Sequence, residues 1–256
     1  MPETTYRWPA EWEPQRGVQL TFPHAAGDWG PLLDRVTPTF VRLAEEISRR
    51  QPLLVVCDDE ARVRPLLRDC PPQHLHLYEL PSNDTWARDH GGLVVLEGTA
   101  ARVLDFMFNG WGLKFAADRD NLLTGRLHAA GAFGGVPLLR PPLVLEGGSV
   151  DTDGRGTVLT TAECLLSPNR NPHLSKEEIE RALRRWLGAE RVLWLHHGAL
   201  AGDDTDAHVD TLARFCDPTT ICYVACDRPD DPHHAPLRRM EAELRTFRTP
   251  DGAPYR

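Results

Sequence analysis

The feature that most constrains this chain is an alternation of short apolar runs with segments of helical periodicity. Runs of strand character lie at Val18–Phe22, Leu53–Val56, Leu75–Leu80, Gly92–Leu96, Val103–Phe106, Thr157–Thr161, Arg191–Leu195 and Ile221–Ala225. Between the first two, Leu33, Val36, Phe40, Leu43 and Ile47 step by three and four, which predicts one apolar helix face. Ser175 and Glu178 have the spacing of a capping box, Ile179, Leu183 and Leu187 follow on one stripe, and Gly188 stops the helix. Leu237, Met240, Leu244 and Phe247 repeat that pattern. Strands alternating with helices predict an α/β fold. The 22 prolines fall between the patterned segments, so the elements are short and joined by loops. Strand–helix units recur at comparable spacing, which suggests a repeated module without residue-level repetition. No low-complexity linker or shift of composition divides the chain, and one domain over residues 1–256 is expected.

Composition narrows the function classes. With 41% hydrophobic and 26% charged residues the chain has an ordinary globular profile. No apolar run approaches the roughly 18 residues of a membrane helix, and Met1–Arg16 lacks the apolar core of a signal peptide. A net charge of −8, without a basic run, argues against nucleic acid as a partner and suits a small cation better. The six cysteines (Cys57, Cys70, Cys164, Cys216, Cys222 and Cys226) form no ligand-type pairs. Without an export signal they read as reduced thiols in a cytoplasm-like compartment, serving as core filler or surface groups. Neither a phosphate-binding loop nor a dinucleotide fingerprint is present, so no nucleotide cofactor is expected.

Three polar segments carry the chemistry. In Asn83–Gly92 a tryptophan, Trp86, stands among Asp84, Asp89 and His90. It reads either as an acidic turn whose Trp plugs the core, or as a pocket wall suited to a planar cation. In Leu145–Ser149, Glu146 stands where an apolar run meets two glycines, either as a solvated turn residue or as a buried, oriented carboxylate. In Ala201–Asp210, Asp203, Asp204, Asp206, His208 and Asp210 crowd together. They could bind a metal, form an acid–base pair of His208 with Asp210, or cap a helix N-terminus through Asp203 and Asp204. The pairs His196–His197 and His233–His234 are poor chelators, because neighbours on a strand point to opposite faces. Asn109–Gly112 has the composition of a turn with an aromatic tip, Trp111, packed in a loop or lining a pocket.

Taken in order, these segments resemble the agmatine deiminase and bacterial-type peptidylarginine deiminase family. The matching blocks are Pro9–Pro14 (P-A-E-W-E-P), Thr21–His24, Trp86–Asp89, Phe108–Gly112, Glu146–Gly148 and Asp203–Asp210, spread over essentially the whole chain. The resemblance implies a pentein fold, an α/β propeller of five ββαβ-like modules in pseudo-fivefold arrangement. It also implies hydrolysis of a guanidinium to a ureido group with release of ammonia, without metal or cofactor, in a cytoplasmic protein that forms a homodimer and touches neither membrane nor nucleic acid. By residue, it assigns Asp89 and Asp210 to the guanidinium nitrogens and Trp86 to the pocket lining, with Asn109 and Trp111 as further substrate-binding residues. His208 becomes the general acid/base and Glu146 the group that orients it. The family's nucleophile is a cysteine thiolate that forms a thiouronium intermediate.

That nucleophile belongs to a G-G-G-x-x-H-C block near the family's C-terminus, and no such block occurs in these 256 residues. The chain is therefore expected to lack the last module and the nucleophile, and to turn over little substrate alone. Smaller departures are Gly92 where the family has Pro, and Leu113 and Ala207 where it has Gly. The leading expectation is an agmatine deiminase giving N-carbamoylputrescine and ammonia. The alternatives are a peptidylarginine deiminase, an inactive guanidine-binding pseudoenzyme, or a metal-dependent hydrolase built on the acidic cluster.

Overall fold

The computed structural model describes residues 5–256, so the start of the polar stretch Met1–Arg16 lies outside the described residues. The chain forms two compact units, each assembled from separated stretches. One comprises residues 14–91 and 116–136. The other takes in the chain up to Glu13 together with 92–115 and 137–256.

The strands, in chain order, are β1 (Tyr6–Arg7), β2 (Val18–Thr21), β3 (Leu53–Cys57) and β4 (Leu75–Glu79). They continue with β5 (Leu93–Glu97), β6 (Ala100–Leu104), β7 (Leu138–Leu139) and β8 (Val150–Thr152). The last are β9 (Thr157–Thr161), β10 (Arg191–Leu195), β11 (Ala213–Asp217) and β12 (Thr220–Tyr223).

In the unit of residues 14–91 and 116–136, β2, β3 and β4 form a parallel sheet with Val18, Leu53 and Leu75 in register. Parallel neighbours need crossover connections, here the helix Leu33–Ser48 and the two short helical turns spanning Glu60–Leu67. Phe22, Leu53, Val55, Cys57, Val63 and Leu67 make the core beneath the helix. The predicted apolar face is rotated slightly: Phe40, Val41 and Ile47 pack on this core, Ala44 and Ser48 are buried, and Leu43 is exposed. Small residues at 44 and 48 let the helix approach the sheet closely, and Leu43 is displaced to its rim.

The larger unit holds three sheets. Their orders are β1-β5-β6-β7, β10-β9-β8 and β11-β12. The helix Lys176–Leu187 connects β9 to its parallel partner β10. It starts at the anticipated capping box of Ser175 and Glu178 and ends at Gly188, whose φ of 69° permits the left-handed cap. Ile179, Leu183 and Leu187 are buried with Trp8, Leu93 and Leu145 in one core. Leu237, Met240 and Leu244, on the helix His234–Leu244, enter a second core with Leu195, Val209 and Phe215. Among the described residues no helix is long and apolar enough to cross a membrane.

Four strands, β1, β7, β8 and β11, escape sequence detection; β1 and β7 are only two residues long, and the other two have a further physical reason. Val150–Thr152 is only three residues long and carries an aspartate, yet it is buried throughout because Phe215 N–H donates to Asp151 at 2.7 Å. Ala213–Asp217 sits in a charged neighbourhood, where Arg214 pairs with Asp151 and Glu11.

Candidate active site

Glu146 lies at the end of the buried run Leu143–Leu145, next to a helical turn formed by Gly147–Ser149. Its carboxylate is fully buried, which excludes the solvated-turn reading. Arg170, equally buried, aims its Nε between the two carboxylate oxygens at 3.0 Å from each. The same guanidinium donates through Nη1 to Asp206 at 2.6 Å and through Nη2 to the Thr205 carbonyl at 2.9 Å. Lys114 completes the network by bonding the other oxygen of Asp206 and the Asp204 carbonyl. Burial opposes ionisation of Asp206, but the hydrogen bonds from Lys114 and Arg170 hold its carboxyl below the usual carboxylate range.

The acidic loop is no helix N-terminus, which corrects one reading of Asp203 and Asp204. Asp203 closes a turn, accepting from Thr205 N–H at 3.0 Å, Thr205 Oγ1 at 2.5 Å and Ala207 N–H at 2.6 Å. Asp206 and Ala207 both adopt left-handed backbone, with φ of 64° and 60°. Ala207 thus occupies a conformation that glycine adopts without strain, as its departure from the family pattern suggested. With Asp203 committed to this turn and Asp206 to two cations, neither is a ready metal ligand.

His208 follows, buried, with its backbone N–H donating to Thr205 Oγ1 at 3.0 Å. A ring nitrogen of His208, a carboxylate oxygen of Glu146 and the Cys164 sulfur lie within 4.8 Å of one another. Within the same limit of His208 stands a carboxylate oxygen of Asp210. Burial first, then the Arg170 charge, pushes the His208 imidazole down to about 3 against the pull of Asp203 and Asp206. The ring is therefore neutral near pH 7.

Asn109 and Trp111 belong to a turn that approaches this network. Gly110, Trp111, Gly112 and Leu113 are all left-handed, with φ between 55° and 78°. Asn109 accepts from Gly112 N–H at 3.0 Å and donates to the Asn169 carbonyl at 2.8 Å. Trp111 is buried edge-on between Phe108 and Phe115, with centroids at 4.9 and 5.5 Å. A Cβ on Gly112 would reach 3.2 Å from Arg170 Nη1 and 3.4 Å from Asp206 Oδ2.

The parallel-sheet unit positions Trp86 and Asp89. Asp120 accepts the backbone N–H groups of Asn83 and Asp84 at 2.7 and 3.1 Å, fixing the segment after β4. Burial pushes the Asp120 carboxyl up to about 6, although those two N–H groups oppose it. Asp84 accepts from Thr85 N–H and from the Trp86 indole N–H at 3.1 Å, and burial together with nearby Asp28 raises it too. Trp86 is not a core plug: it is 44% exposed, with its ring tilted toward Trp29 at 6.2 Å. Asp89, by contrast, is buried on the short helix Ala87–His90. Burial lowers the His90 imidazole to about 4. A cavity of about 340 Å³ in this unit is lined by His24, Asp58, Glu79 and Arg119; His24 closes the Thr21–His24 block, and none of the residues assigned to the site borders the cavity.

The histidine pairs are engaged elsewhere: His197 contacts Glu243 and His233 contacts Asp231, each at 2.8 Å. Sequence reasoning missed Arg170, Lys114 and the approach of Cys164. Arg170 lies in the polar stretch Ser167–Asn171, which carries no periodicity or motif legible in one sequence.

An α/β scaffold with a buried glutamate–histidine pair and an acidic aromatic corner defines the general class, and comparison with known proteins supplies the family. A family model described as Porphyromonas-type peptidyl-arginine deiminase matches residues 7–256, and the chain belongs to that family. Its fold is the pentein-type α/β fold of its structural neighbours. The solved "Putative Arginine Deiminase" of Porphyromonas gingivalis is 53% identical, with a TM-score of 0.91 over 98% of this chain and 75% of its own. A substrate-bound cysteine-to-serine variant of the C. jejuni agmatine deiminase is 34% identical, with a TM-score of 0.87 over 93% of this chain and 70% of its own. The curated "Putative agmatine deiminase" of Selenomonas ruminantium is 38% identical over 88% of this chain. The chain spans 62% of that relative's length.

Proposed function

We propose that the chain is the acid–base and guanidinium-binding portion of a deiminase that hydrolyses agmatine to N-carbamoylputrescine and ammonia. The carrying observation is the neutral, buried His208 beside Glu146, with Asp210 next to it. In this reading the chain is one deiminase domain over 1–256, part of a propeller of ββαβ-type modules. The course of the chain supports that, since it passes from one compact unit to the other more than once.

Two carboxylates keep a guanidinium planar and positioned for attack. The family motifs give those roles to Asp89 and Asp210, with Trp86 supplying a π face for the cation. A cysteine thiolate attacks the guanidinium carbon to give a tetrahedral adduct. As the carbon–nitrogen bond breaks, the leaving nitrogen takes the proton that His208 received from the attacking thiol and departs as ammonia, leaving a thiouronium and a neutral His208. Neutral His208 then removes a proton from water, which adds to that carbon; expulsion of the thiolate leaves the ureido product. The matching motif for the attacking thiol is the G-G-G-x-x-H-C block, and none of the six cysteines stands in that context. Cys164, although near His208, stands on the short helix Ala162–Leu165 and outside any such block.

Agmatine is favoured over peptidyl-arginine because two relatives carry its name and because the exposed Trp86 face stands beside Asp84 in an acidic surround that suits a second cation. The test is calorimetric titration with agmatine, with putrescine, which lacks the guanidinium, and with an arginine-containing peptide. Agmatine should bind at least about tenfold more tightly than either, since losing one charge-assisted pair costs 1.4 kcal/mol or more. Equal binding of putrescine, or tighter binding of the peptide, would overturn the assignment.

A further inference from the structure

We propose that Arg170 is a positioning residue, which ties the Asp203–His208 loop to Glu146 and thereby sets where the His208 imidazole stands. The inference rests on the reading of His208 as the acid/base, and it concerns a residue that the motif blocks do not contain.

Three observations carry it. Arg170 uses its whole fork across two elements: Nε serves both oxygens of Glu146, while Nη1 and Nη2 reach Asp206 and the Thr205 carbonyl two and three residues before His208. Only a planar guanidinium can make these bonds together; a lysine offers one point charge. Second, the loop it holds is strained. Asp206 and Ala207 are consecutive L-residues in the left-handed region, a conformation that persists only where the surroundings impose it. Besides Arg170, the ties are Asp203 within the loop, Thr161 Oγ1 donating to the Ala207 carbonyl at 2.7 Å, and Lys114 on Asp206. Third, room for the fork is built in at Gly112, where a Cβ would crowd both Arg170 Nη1 and Asp206 Oδ2. Lys114, two residues on, then clamps the outer oxygen of Asp206. The Arg170 charge also favours the neutral imidazole, so one side chain contributes both placement and protonation state.

The test follows the His208 ring signals by NMR, assigned through their loss in His208→Gln, in the wild-type chain, Arg170→Lys and Asp206→Asn. Wild type should give one set of ring signals. Arg170→Lys keeps a charge but loses the fork, and should displace or split them. Asp206→Asn acts at the partly exposed edge of the network, where folding is least at risk, and should displace them in the same sense by a smaller amount. Restoring nothing but charge, as in Arg170→Lys, should not restore the wild-type position. Should Arg170→Lys fail to fold, Asp206→Asn decides alone. Unchanged ring signals in the folded variants would overturn the proposal and reduce Arg170 to a stabilising ion pair. Agmatine titration of the wild-type chain is read separately: failure to bind defeats the deiminase reading, whereas the ring signals report on the Arg170 tie whatever the ligand.

Discussion

Two sets of carboxylates, one in each unit, are held in opposite ways. In the larger unit, Glu146 and Asp206 face Arg170 and Lys114, so the negative charge is neutralised within the fold. In the parallel-sheet unit, Asp84 and Asp120 are held by backbone N–H groups and an indole, and burial pushes both upward. Charge-paired carboxylates are structural girders and have little left for a ligand. Carboxylates held by neutral donors keep their negative field, and an incoming cation would relieve it. In the proposed reading the first set fixes the acid/base, while the second leaves a negative field that suits a cation.

The sharpest way to break that distinction is to remove one partner from each set. Arg170→Met leaves Glu146 buried without its cation and Asp206 with Lys114 alone, and should cost about 3–5 kcal/mol in urea unfolding. Asp84→Asn loses one hydrogen bond while relieving an unfavourable charge, and should change stability by less than about 1 kcal/mol. Equal costs would erase the contrast.

Acid titration follows. His208 and His90 stand at about 3 and about 4 in the fold against 6.5 unfolded, so the unfolded chain takes up their protons first. Their contribution is complete above pH 6.5 and is lost as pH falls toward 3. Asp120 has the opposite sign: raised from 3.8 to about 6, it loses stability as pH rises through that interval. Stability should therefore fall steadily as pH drops from 6.5 toward 3, with Asp120 offsetting one of the two histidines between about pH 6 and 4 and His208 alone acting below pH 4. Chemical unfolding at a series of pH values reads this directly; a curve that is flat from pH 7 to 3 would contradict buried neutral histidines.

The smallest effect comes from strain. Leu113 is 72% exposed at φ 68°, and Ala207 stands at φ 60°. Leu113→Gly and Ala207→Gly should each raise the unfolding free energy by up to about 1 kcal/mol, the left-handed penalty less the entropy that glycine costs.

Much of this was legible beforehand. The capping box at Ser175, the stop at Gly188 and the stripe Ile179–Leu187 stand where local patterning puts them, because helix ends are written in a few adjacent residues. The burial of Glu146 and the left-handed backbone of Ala207 were signalled by the glycines beside one and the departure from glycine at the other. What was hidden depends on distant partners. Arg170 meets Glu146 across 24 residues and Asp206 across 36, and no local pattern encodes that encounter. Leu43 left the core for the same reason: periodicity gives a face, while the sheet beneath decides its centre.

In the proposed reading this chain holds a guanidinium through carboxylates distinct from those that brace the fold. That separation is tested most directly by titrating agmatine into the wild-type chain, Asp210→Asn and Asp89→Asn, with the surface variant Asp217→Asn as control. The account predicts binding by wild type and control, weakened about 30-fold or more in each of the other two, as loss of a close charge pair worth about 2–5 kcal/mol requires. Equal affinity in all four chains would contradict it.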